Sequence, residues 1–341
     1  MNESSRCSHA GFWIAIAGLG VTLMISVLAN FGLLLGLAVI GGGSAPGQAE
    51  AEDEFPALKE IWSCGHGAVK AARIPVAGVI MRDGESSLFQ ISRDRVETVI
   101  RQIRAAQNDD SVRAIILEVD SPGGGITPTD EIYRALSEFR ASAPNRKVVV
   151  LVQGMAASGG YYVAMASDWI IAEPTALIGS ISVIIQTLNW KGLSDKLGVQ
   201  DVTIKSGKNK DLLNPFREVN PEHLAMLQAM VDSLHQHFLG IVKQGRALDD
   251  ATLQAIGDGR VFSTGEAQRL RLVDQTGYWS DAVAKTAQLL GESSVKIVRY
   301  EEKNDFSRWL AELRGPALNV NLGLPRWMNA EGPRLMYLWQ P

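Results

Sequence analysis

The hydrophobic pattern begins with one uninterrupted apolar run at the N-terminus. No charged residue occurs between Gly11 and Ala49, and Phe12–Ile40 consists mainly of Ile, Leu, Val, Ala and Gly. A helix that spans a bilayer needs about 20 such residues, whereas the apolar part of a cleaved signal peptide usually has about 7–15. The run therefore predicts an uncleaved transmembrane anchor over residues 11–41.

Charges on the two sides of this run indicate its orientation. Arg6 is the positive side chain on the short side, and the run is followed by the acidic residues Glu50, Glu52, Asp53 and Glu54. Positive charge is enriched on the cytoplasmic side of membrane proteins. We therefore expect residues 1–10 in the cytoplasm and the body of the protein on the extracytoplasmic side of the cell membrane, anchored in lipid by the helix.

The remaining chain divides by composition. Residues 42–56 are small, polar and acidic, which is typical of a flexible tether. We place the main domain at residues 57–292 and a C-terminal extension at 293–341. Within that extension, residues 315–341 have no clear period and predict irregular structure.

Strand-like and helix-like patterns alternate after residue 57. Strands are predicted at Ile74–Met81, Ala114–Val119 and Val148–Val152, and helices at Arg93–Ala106 and Pro128–Arg140. A later helix is signalled by Asn220 as cap, Pro221 and Glu222, and continues through Val242. This alternation predicts an α/β fold with parallel strands covered on both faces.

Composition excludes several classes of function. The formal net charge is −4 and no cluster of Lys or Arg occurs, so the chain lacks the basic surface of a nucleic-acid binder. Its two cysteines, Cys7 and Cys64, and its five scattered histidines do not have the spacing of metal ligands. We expect no disulfide framework, no metal and no cofactor.

A glycine-rich segment, Asp120–Gly125, directly follows the strand that ends at Val119. Its backbone N–H groups precede a helix expected near Pro128, and such donors can hold an anion. The segment predicts either an oxyanion hole for acyl transfer or simply a tight glycine turn. A phosphate-binding loop is disfavoured because no Gly-Lys-Ser/Thr sequence follows.

A second small-residue segment, Gly154–Tyr162, follows the next buried strand. It places Ser158 at the start of a helix, where its hydroxyl could be a nucleophile and the amide of Gly159 an oxyanion donor. The alternative is a serine that only caps the helix.

A nucleophilic serine needs a base, and no histidine lies near Ser158 along the chain. Lysine is the other known route, and Lys205, Lys208 and Lys210 crowd one segment. A lysine can be neutral near pH 7 only where burial or a neighbouring cation disfavours its charge. The alternative for each of the three is an ordinary solvated charge.

Five stretches together resemble the signal peptide peptidase A (SppA) family of membrane-anchored serine proteases. They read VDSPGGG, GMAASGGYYVA, GSISVI, KSGKNKDLLNPFR and GRVFSTGEAQRLRLVD, in this order, within Ile74–Gly277. The resemblance implies a Clp-protease/crotonase-like fold, a repeated β-β-α spiral, behind one N-terminal transmembrane helix. It also implies Ser158 as nucleophile and Lys210 as general base, with no cofactor; Gly123 and Gly159 match the oxyanion donors.

The resemblance further implies a substrate and an assembly. Its substrates are signal peptides left in the membrane after export, which are apolar peptides, and its members form homo-oligomers in which serine and lysine come from different copies. The chain resembles the single-domain members. It departs from the family at Arg271, where glycine is usual, which puts the local turn in question.

Three other interpretations of the function remain. A crotonase-type acyl-CoA enzyme would share the fold and the glycine turns, but the anchor and the Ser158/Lys210 pair disfavour it. The others are a non-catalytic membrane scaffold of the same fold and a related membrane protease specific for one partner protein.

Overall fold

The structure is a computed structural model that describes residues 8–41, 54–56, 58–82, 94–302 and 335–339. The described helices are α1 Ser8–Gly41, α2 Arg95–Asn108, α3 Ile126–Ala141, α4 Gly159–Ala164, α5 Lys191–Leu197, α6 Pro221–Arg246, α7 Asp250–Ile256, α8 Thr264–Arg269 and α9 Trp279–Leu290. The described strands are β1 Leu58–Cys64, β2 Lys70–Ala77, β3 Val112–Ser121, β4 Gly123–Gly125, β5 Lys147–Ala157, β6 Trp169–Ala172, β7 Leu177–Gly179, β8 Ile184–Ile185, β9 Val261–Ser263, β10 Gln275–Thr276, β11 Lys296–Glu302 and β12 Leu335–Leu338.

Helix α1 stands apart from the rest by its composition. It has 34 residues, and its segment Ile16–Leu33 is long and apolar enough to cross a membrane. All side chains described in that segment are exposed, as a lipid-facing helix requires. The prediction of one apolar N-terminal helix is confirmed.

The main sheet has nine strands among the described residues. Its path is β1-β11-β2-β3-β5-β6-β10, with β7 paired to β5 and β9 paired to β7. The pairs along the centre, from β11 to β10, are parallel, and β1-β11 and β7-β9 are antiparallel. The predicted α/β fold with a mainly parallel sheet is confirmed.

The central strands bury both of their faces. Along β3, Ile115, Leu117 and Val119 belong to the larger core cluster, whereas Ala114 and Ile116 belong to the second cluster on the opposite face. Alternate residues of a strand point to opposite faces, so a run without polar positions signals a sheet covered on both sides. Helices α2, α3 and α6 contribute to the first cluster and α9 to the second.

Element ends differ from the predictions where local chemistry or pairing decides them. β2 ends at Ala77 instead of Met81, before Gly78, whose φ is +71°. β5 runs past Val152 to Ala157 because it takes β7 as a second partner. Arg93 lies outside the described residues, and α2 begins at Arg95, where the Asp94 side chain accepts a hydrogen bond from the Val96 N–H.

Helix α6 follows its sequence signals. The Asn220 side chain accepts a hydrogen bond from the N–H of Glu222 at 2.9 Å, and Pro221 occupies the first turn. The helix continues to Arg246, one turn beyond Val242. The predicted cap and start are confirmed.

The C-terminal part of the chain contributes two strands. β11 lies between β1 and β2 in the main sheet, beyond the domain end that we placed at residue 292. β12 lies between β4 and β8 in a separate three-stranded sheet, so irregular structure is the wrong prediction for Leu335–Leu338. Partners distant in sequence stabilise this strand, and a periodicity search cannot find them. Residues 303–334 and the tether residues 42–53 lie outside the described ones.

Arg271 adopts a left-handed backbone conformation, which glycine would reach without strain. Its φ is +60°, and its carbonyl accepts a hydrogen bond from Arg246 Nε at 2.6 Å. The turn after α8 therefore places a non-glycine residue in the left-handed region.

Candidate active site

Ser158 occupies a sharp junction between β5 and α4. Its φ of 51° and ψ of −116° are strained for a residue with a side chain. Its N–H donates to the carbonyl of Gly179 at 2.7 Å, and its carbonyl accepts from the N–H of Tyr162 at 2.9 Å. Only 1% of the residue is exposed, and its side chain does not cap the helix. A serine held in this way resembles a strand-turn-helix nucleophile more than a capping residue.

The two predicted oxyanion glycines lie against one another. A β-carbon on Gly123 would lie 2.6 Å from the backbone nitrogen of Gly159, and Gly123 has a φ of +96°. Only glycine fits such a close approach. Gly159 is the first residue of α4, so its N–H has no acceptor in a preceding turn of the helix. The N–H of Gly123 donates to Ser121 Oγ at 3.1 Å.

Helix α4 is anchored by two buried tyrosines that directly follow the glycines. Tyr161 donates its hydroxyl to the carbonyl of Leu272 at 2.8 Å. Tyr162 donates to Asp130 Oδ1 at 2.6 Å, and its oxygen lies 3.1 Å from His237 Nε2. Burial, and then the bond to Asp130, raises the pKa of Tyr162, so this hydroxyl stays protonated as a donor. These bonds fix the helix that begins beside Ser158.

The three candidate lysines have different partners. Lys205 forms an ion pair with Asp211 and donates to the carbonyl of Lys208 at 2.8 Å. Lys208 pairs with Glu222 at 2.7 Å. Lys210 makes no ion pair within the described residues; its backbone N–H donates to Gly207 at 3.1 Å. The hydrogen bond from Lys205 holds the pKa of Asp211 below its usual range, and Arg217 adds to this.

Lys210 and Ser158 lie in different surroundings within one chain. Lys210 is exposed, Ser158 is buried, and no hydrogen bond joins them in the described part of the structure. Lys210 lies in the arm, as we call residues 186–220, between β8 and α6. Several large apolar side chains of the arm are exposed: Leu188, Trp190, Leu193, Leu197, Val199, Val202, Ile204, Phe216 and Val219.

A groove of ≈ 770 Å³ runs between the arm and α6. Leu188, Lys205, Pro215 and Leu224 are among its lining residues, but Ser158, Gly123 and Gly159 are not. The groove is thus separate from the serine and its glycines.

Sequence reasoning missed three contributors to this region. Thr129 is fully buried, its hydroxyl has no hydrogen-bond partner in the described residues, and it would lie 2.7 Å from a β-carbon on Gly159. His237, one of the five scattered histidines, has its Nε2 3.1 Å from the hydroxyl oxygen of Tyr162. Strand β12 pairs with the glycine segment itself. Their contacts with Gly159, Tyr162 and Gly123–Gly125 join segments that are distant in sequence, so no local pattern signals them.

Within the described residues, His, Cys, Asp and Glu side chains form no group of three or more that could hold an ion.

The mainly parallel α/β fold is of the Clp-protease type. The family model for Clp protease matches residues 81–190, and the model for peptidase family S49 matches residues 140–293. The chain is 35% identical over 245 residues to a protein of Enterococcus faecium named "Putative signal peptide peptidase SppA", covering 71% of this chain and 70% of that protein.

Two further relatives support the same family. "Protease 4" of Salmonella typhi is 34% identical, over 62% of this chain and 33% of its own length. "Serine protease SPPA, chloroplastic" of Arabidopsis thaliana is 31% identical, over 56% of this chain and 28% of its own. The chain belongs to peptidase family S49, the SppA family, and is a serine-type peptidase. Together with the apolar helix α1, these relatives indicate a membrane-associated protein.

Proposed function

We propose that this chain is a membrane-anchored endopeptidase that uses a Ser158/Lys210 dyad to degrade remnant signal peptides and similar apolar peptides after protein export. The observation that carries the proposal is the strained, buried Ser158 beside two glycines at the start of a fixed helix. The resemblance of the sequence motifs supplies the substrate class.

The proposed chemistry is acyl transfer. Ser158 Oγ attacks the peptide carbonyl while Lys210 Nζ accepts the hydroxyl proton. The N–H of Gly159, and that of Gly123 once it has released Ser121 Oγ, stabilise the oxyanion of the tetrahedral intermediate. The C–N bond then breaks, and the leaving amine takes the proton from Lys210. Water hydrolyses the acyl-serine, with Lys210 again accepting a proton, so that no cofactor is consumed.

The choice of Lys210 is supported by the ion pairs of its neighbours. A general base must be neutral and within reach of the proton that it accepts. Lys205 and Lys208 are held by Asp211 and Glu222, whereas Lys210 has no carboxylate partner among the described residues. Its exposure in a single chain leaves it available to another copy.

We propose that this second copy covers the arm. Val202 is 84% exposed and Ile204 97% exposed, close in sequence to Lys210. Contiguous exposed apolar surface of this kind marks interaction sites in soluble domains. A homo-oligomer would bury these side chains and place Lys210 of one subunit at Ser158 of the next.

We also propose that α1 is a single-pass anchor with residues 1–10 in the cytoplasm and the peptidase domain outside. Arg6 before the helix and the acidic residues after it support this orientation.

A fluorophosphonate probe tests the nucleophile. We expect it to label the full chain in detergent or vesicles at Ser158, and the Ser158→Ala variant to be unlabelled and unable to cleave a signal peptide. Equal labelling of both proteins, or cleavage by Ser158→Ala, would contradict the proposal.

A further inference from the structure

Thr129 occupies the first position of the buried stripe on helix α3. The buried residues of this helix are Thr129, Ile132, Leu136 and Phe139. Their spacing of three and four residues places them on one face of the helix, which packs into the core. Thr129 itself is fully buried. A hydroxyl therefore lies where the other positions of the stripe carry apolar side chains.

The hydroxyl of Thr129 makes no hydrogen bond within the described part of the chain. Thr98 and Thr286, which also lie in helices, each donate to the carbonyl four residues earlier, at 3.0 and 2.7 Å. A buried hydroxyl left without a partner costs about 1–3 kcal/mol, and a valine of nearly the same shape would avoid this cost. The stability of the fold therefore does not explain why a hydroxyl lies here.

This hydroxyl lies against the second of the two expected oxyanion glycines. A β-carbon on Gly159 would lie 2.7 Å from Thr129 Oγ1, 3.1 Å from the Cα of Gly123 and 3.2 Å from the nitrogen of Gly124. Thr129 and the first glycine segment thus close the same side of Gly159. Because an oxygen atom is smaller than a methyl group, threonine lets the starts of α3 and α4 approach more closely than valine would.

Thr129 is also held in a fixed relation to Gly123. The carbonyl of Gly123 accepts a hydrogen bond from the N–H of Ile80 at 2.8 Å, and the N–H of Gly125 donates to the carbonyl of Ile80 at 2.8 Å. Helix α3 begins at Ile126, directly after these glycines, and threonine has few side-chain rotamers in a helix. The backbone that carries Gly123 therefore also sets the position of the Thr129 hydroxyl.

The two expected oxyanion donors belong to separate segments of the chain. Gly123 follows β3, and Gly159 follows β5. Both N–H groups have to lie about 2.7–3.1 Å from the oxyanion, and catalytic geometry has to be held to within about 0.5 Å. Thr129 is fixed to the first segment and lies against the second. It is therefore placed to set the distance between the two N–H groups.

We propose that Thr129 is a positioning residue of the oxyanion site, whose hydroxyl oxygen sets Gly159 against Gly123 so that both N–H groups can bind the same oxyanion. The inference rests on the proposed function, because it concerns the acyl transfer at Ser158. The bound substrate does not yet carry the oxyanion. Loss of the Thr129 oxygen should therefore lower kcat and leave KM unchanged.

Substitutions in the full chain test the proposal by cleavage of a fluorogenic apolar peptide in detergent. Thr129→Val replaces the oxygen by a methyl group, and Thr129→Ser keeps the oxygen. Thr286→Val is the matched control, because it removes another fully buried helical hydroxyl, from α9. We expect Thr129→Val to lower kcat at least about tenfold, with KM within twofold of the parent. Thr129→Ser should recover kcat to within threefold, and Thr286→Val should stay within twofold. Parent kcat in Thr129→Val would overturn the proposal.

A peptide aldehyde separates oxyanion binding from a general loss of structure. Ser158 Oγ adds to the aldehyde carbon while Lys210 takes the hydroxyl proton, and the carbonyl oxygen becomes the oxyanion of a hemiacetal. We expect the inhibition constant of acetyl-leucyl-leucyl-leucinal to rise at least about tenfold in Thr129→Val, in step with the fall in kcat/KM. The corresponding carboxamide forms no adduct, and its inhibition constant should stay within twofold. An equal rise for both inhibitors would show that Thr129 shapes only the peptide site, and would contradict the proposal.

A second pair of variants keeps the proposal testable if Thr129→Val does not fold. Thr129→Ala removes the oxygen without adding volume, so it should lose kcat as valine does, whereas Thr129→Ser should not. Equal kcat values in these two variants would overturn the inference. Circular dichroism and the oligomeric state of each variant are measured in parallel. Cleavage by Ser158→Ala would refute the proposed function, whereas Ser158-dependent cleavage that does not respond to loss of the Thr129 oxygen would refute only this inference.

Discussion

Replacement of Lys205, Lys208 and Lys210, one at a time, should separate the general base from its neighbours. Lys210→Ala removes the side chain that has no carboxylate partner in the described structure. If Lys210 is the general base, kcat should fall about 10²–10⁴-fold, which corresponds to about 2.7–5.5 kcal/mol of transition-state stabilisation.

The two control variants, Lys205→Ala and Lys208→Ala, should keep their activity because each of them removes a lysine held in an ion pair. The pair of Lys208 with Glu222 is between exposed side chains, and such pairs contribute about 0–1 kcal/mol to stability. Asp211 keeps Arg217, 3.2 Å away, when Lys205 is replaced. We therefore expect Lys208→Ala and Lys205→Ala to retain most of the activity.

The assay is cleavage of a fluorogenic apolar peptide by full-length protein in detergent, with the oligomeric state of each variant measured in parallel. Chelators should have no effect on the activity of the parent. Equal loss of activity in all three variants, with oligomers intact, would refute the assignment. So would full activity in Lys210→Ala.

The remaining predictions concern the glycine contact, the Arg271 turn and the topology. Gly159→Ala should lower kcat at least about 10²-fold while the circular dichroism spectrum stays the same. The reason is that the new β-carbon would lie 2.7 Å from Thr129 Oγ1 and 3.1 Å from the Cα of Gly123. An unchanged kcat would contradict this tight contact. Arg271→Gly should stabilise the protein by about 0.5–1 kcal/mol, since the relief of left-handed strain exceeds the conformational entropy that glycine loses on folding. Calorimetry should show a Tm about 2 °C higher, and a lower Tm would refute this. Protease added to intact spheroplasts should digest the domain after α1, whereas protection of the whole chain would refute the N-terminus-inside orientation.

Much of the fold could be predicted from local patterns. Runs such as Ala114–Val119 contain apolar residues on both faces of a strand, and the structure buries them on both sides of a parallel sheet. Asn220 and Pro221 marked the start of α6 because helix caps depend on adjacent residues. The position of Ser158 at the start of a helix could be predicted in the same way, from adjacent residues.

What could not be predicted depends on contacts between distant segments. Nothing near Leu335–Leu338 indicates that its partners are Gly123–Gly125 and Ile184–Ile185. The hydroxyl of Thr129, which has no hydrogen-bond partner among the described residues, lies beside Gly159 likewise because of packing between helices. Lys210 is assigned from the resemblance of its motif. In one chain it lies exposed on the arm and makes no hydrogen bond to Ser158 within the described residues. Its role stays a prediction.

The most direct test of the central claim is co-assembly of Ser158→Ala with Lys210→Ala subunits. If the dyad is shared between neighbouring copies, each variant alone is inactive, but mixed oligomers contain junctions in which an intact Ser158 meets an intact Lys210. Activity should then recover in part and scale with the product of the two subunit fractions. No recovered activity in oligomers shown to be mixed, or a fully active isolated monomer of the parent protein, would contradict the account.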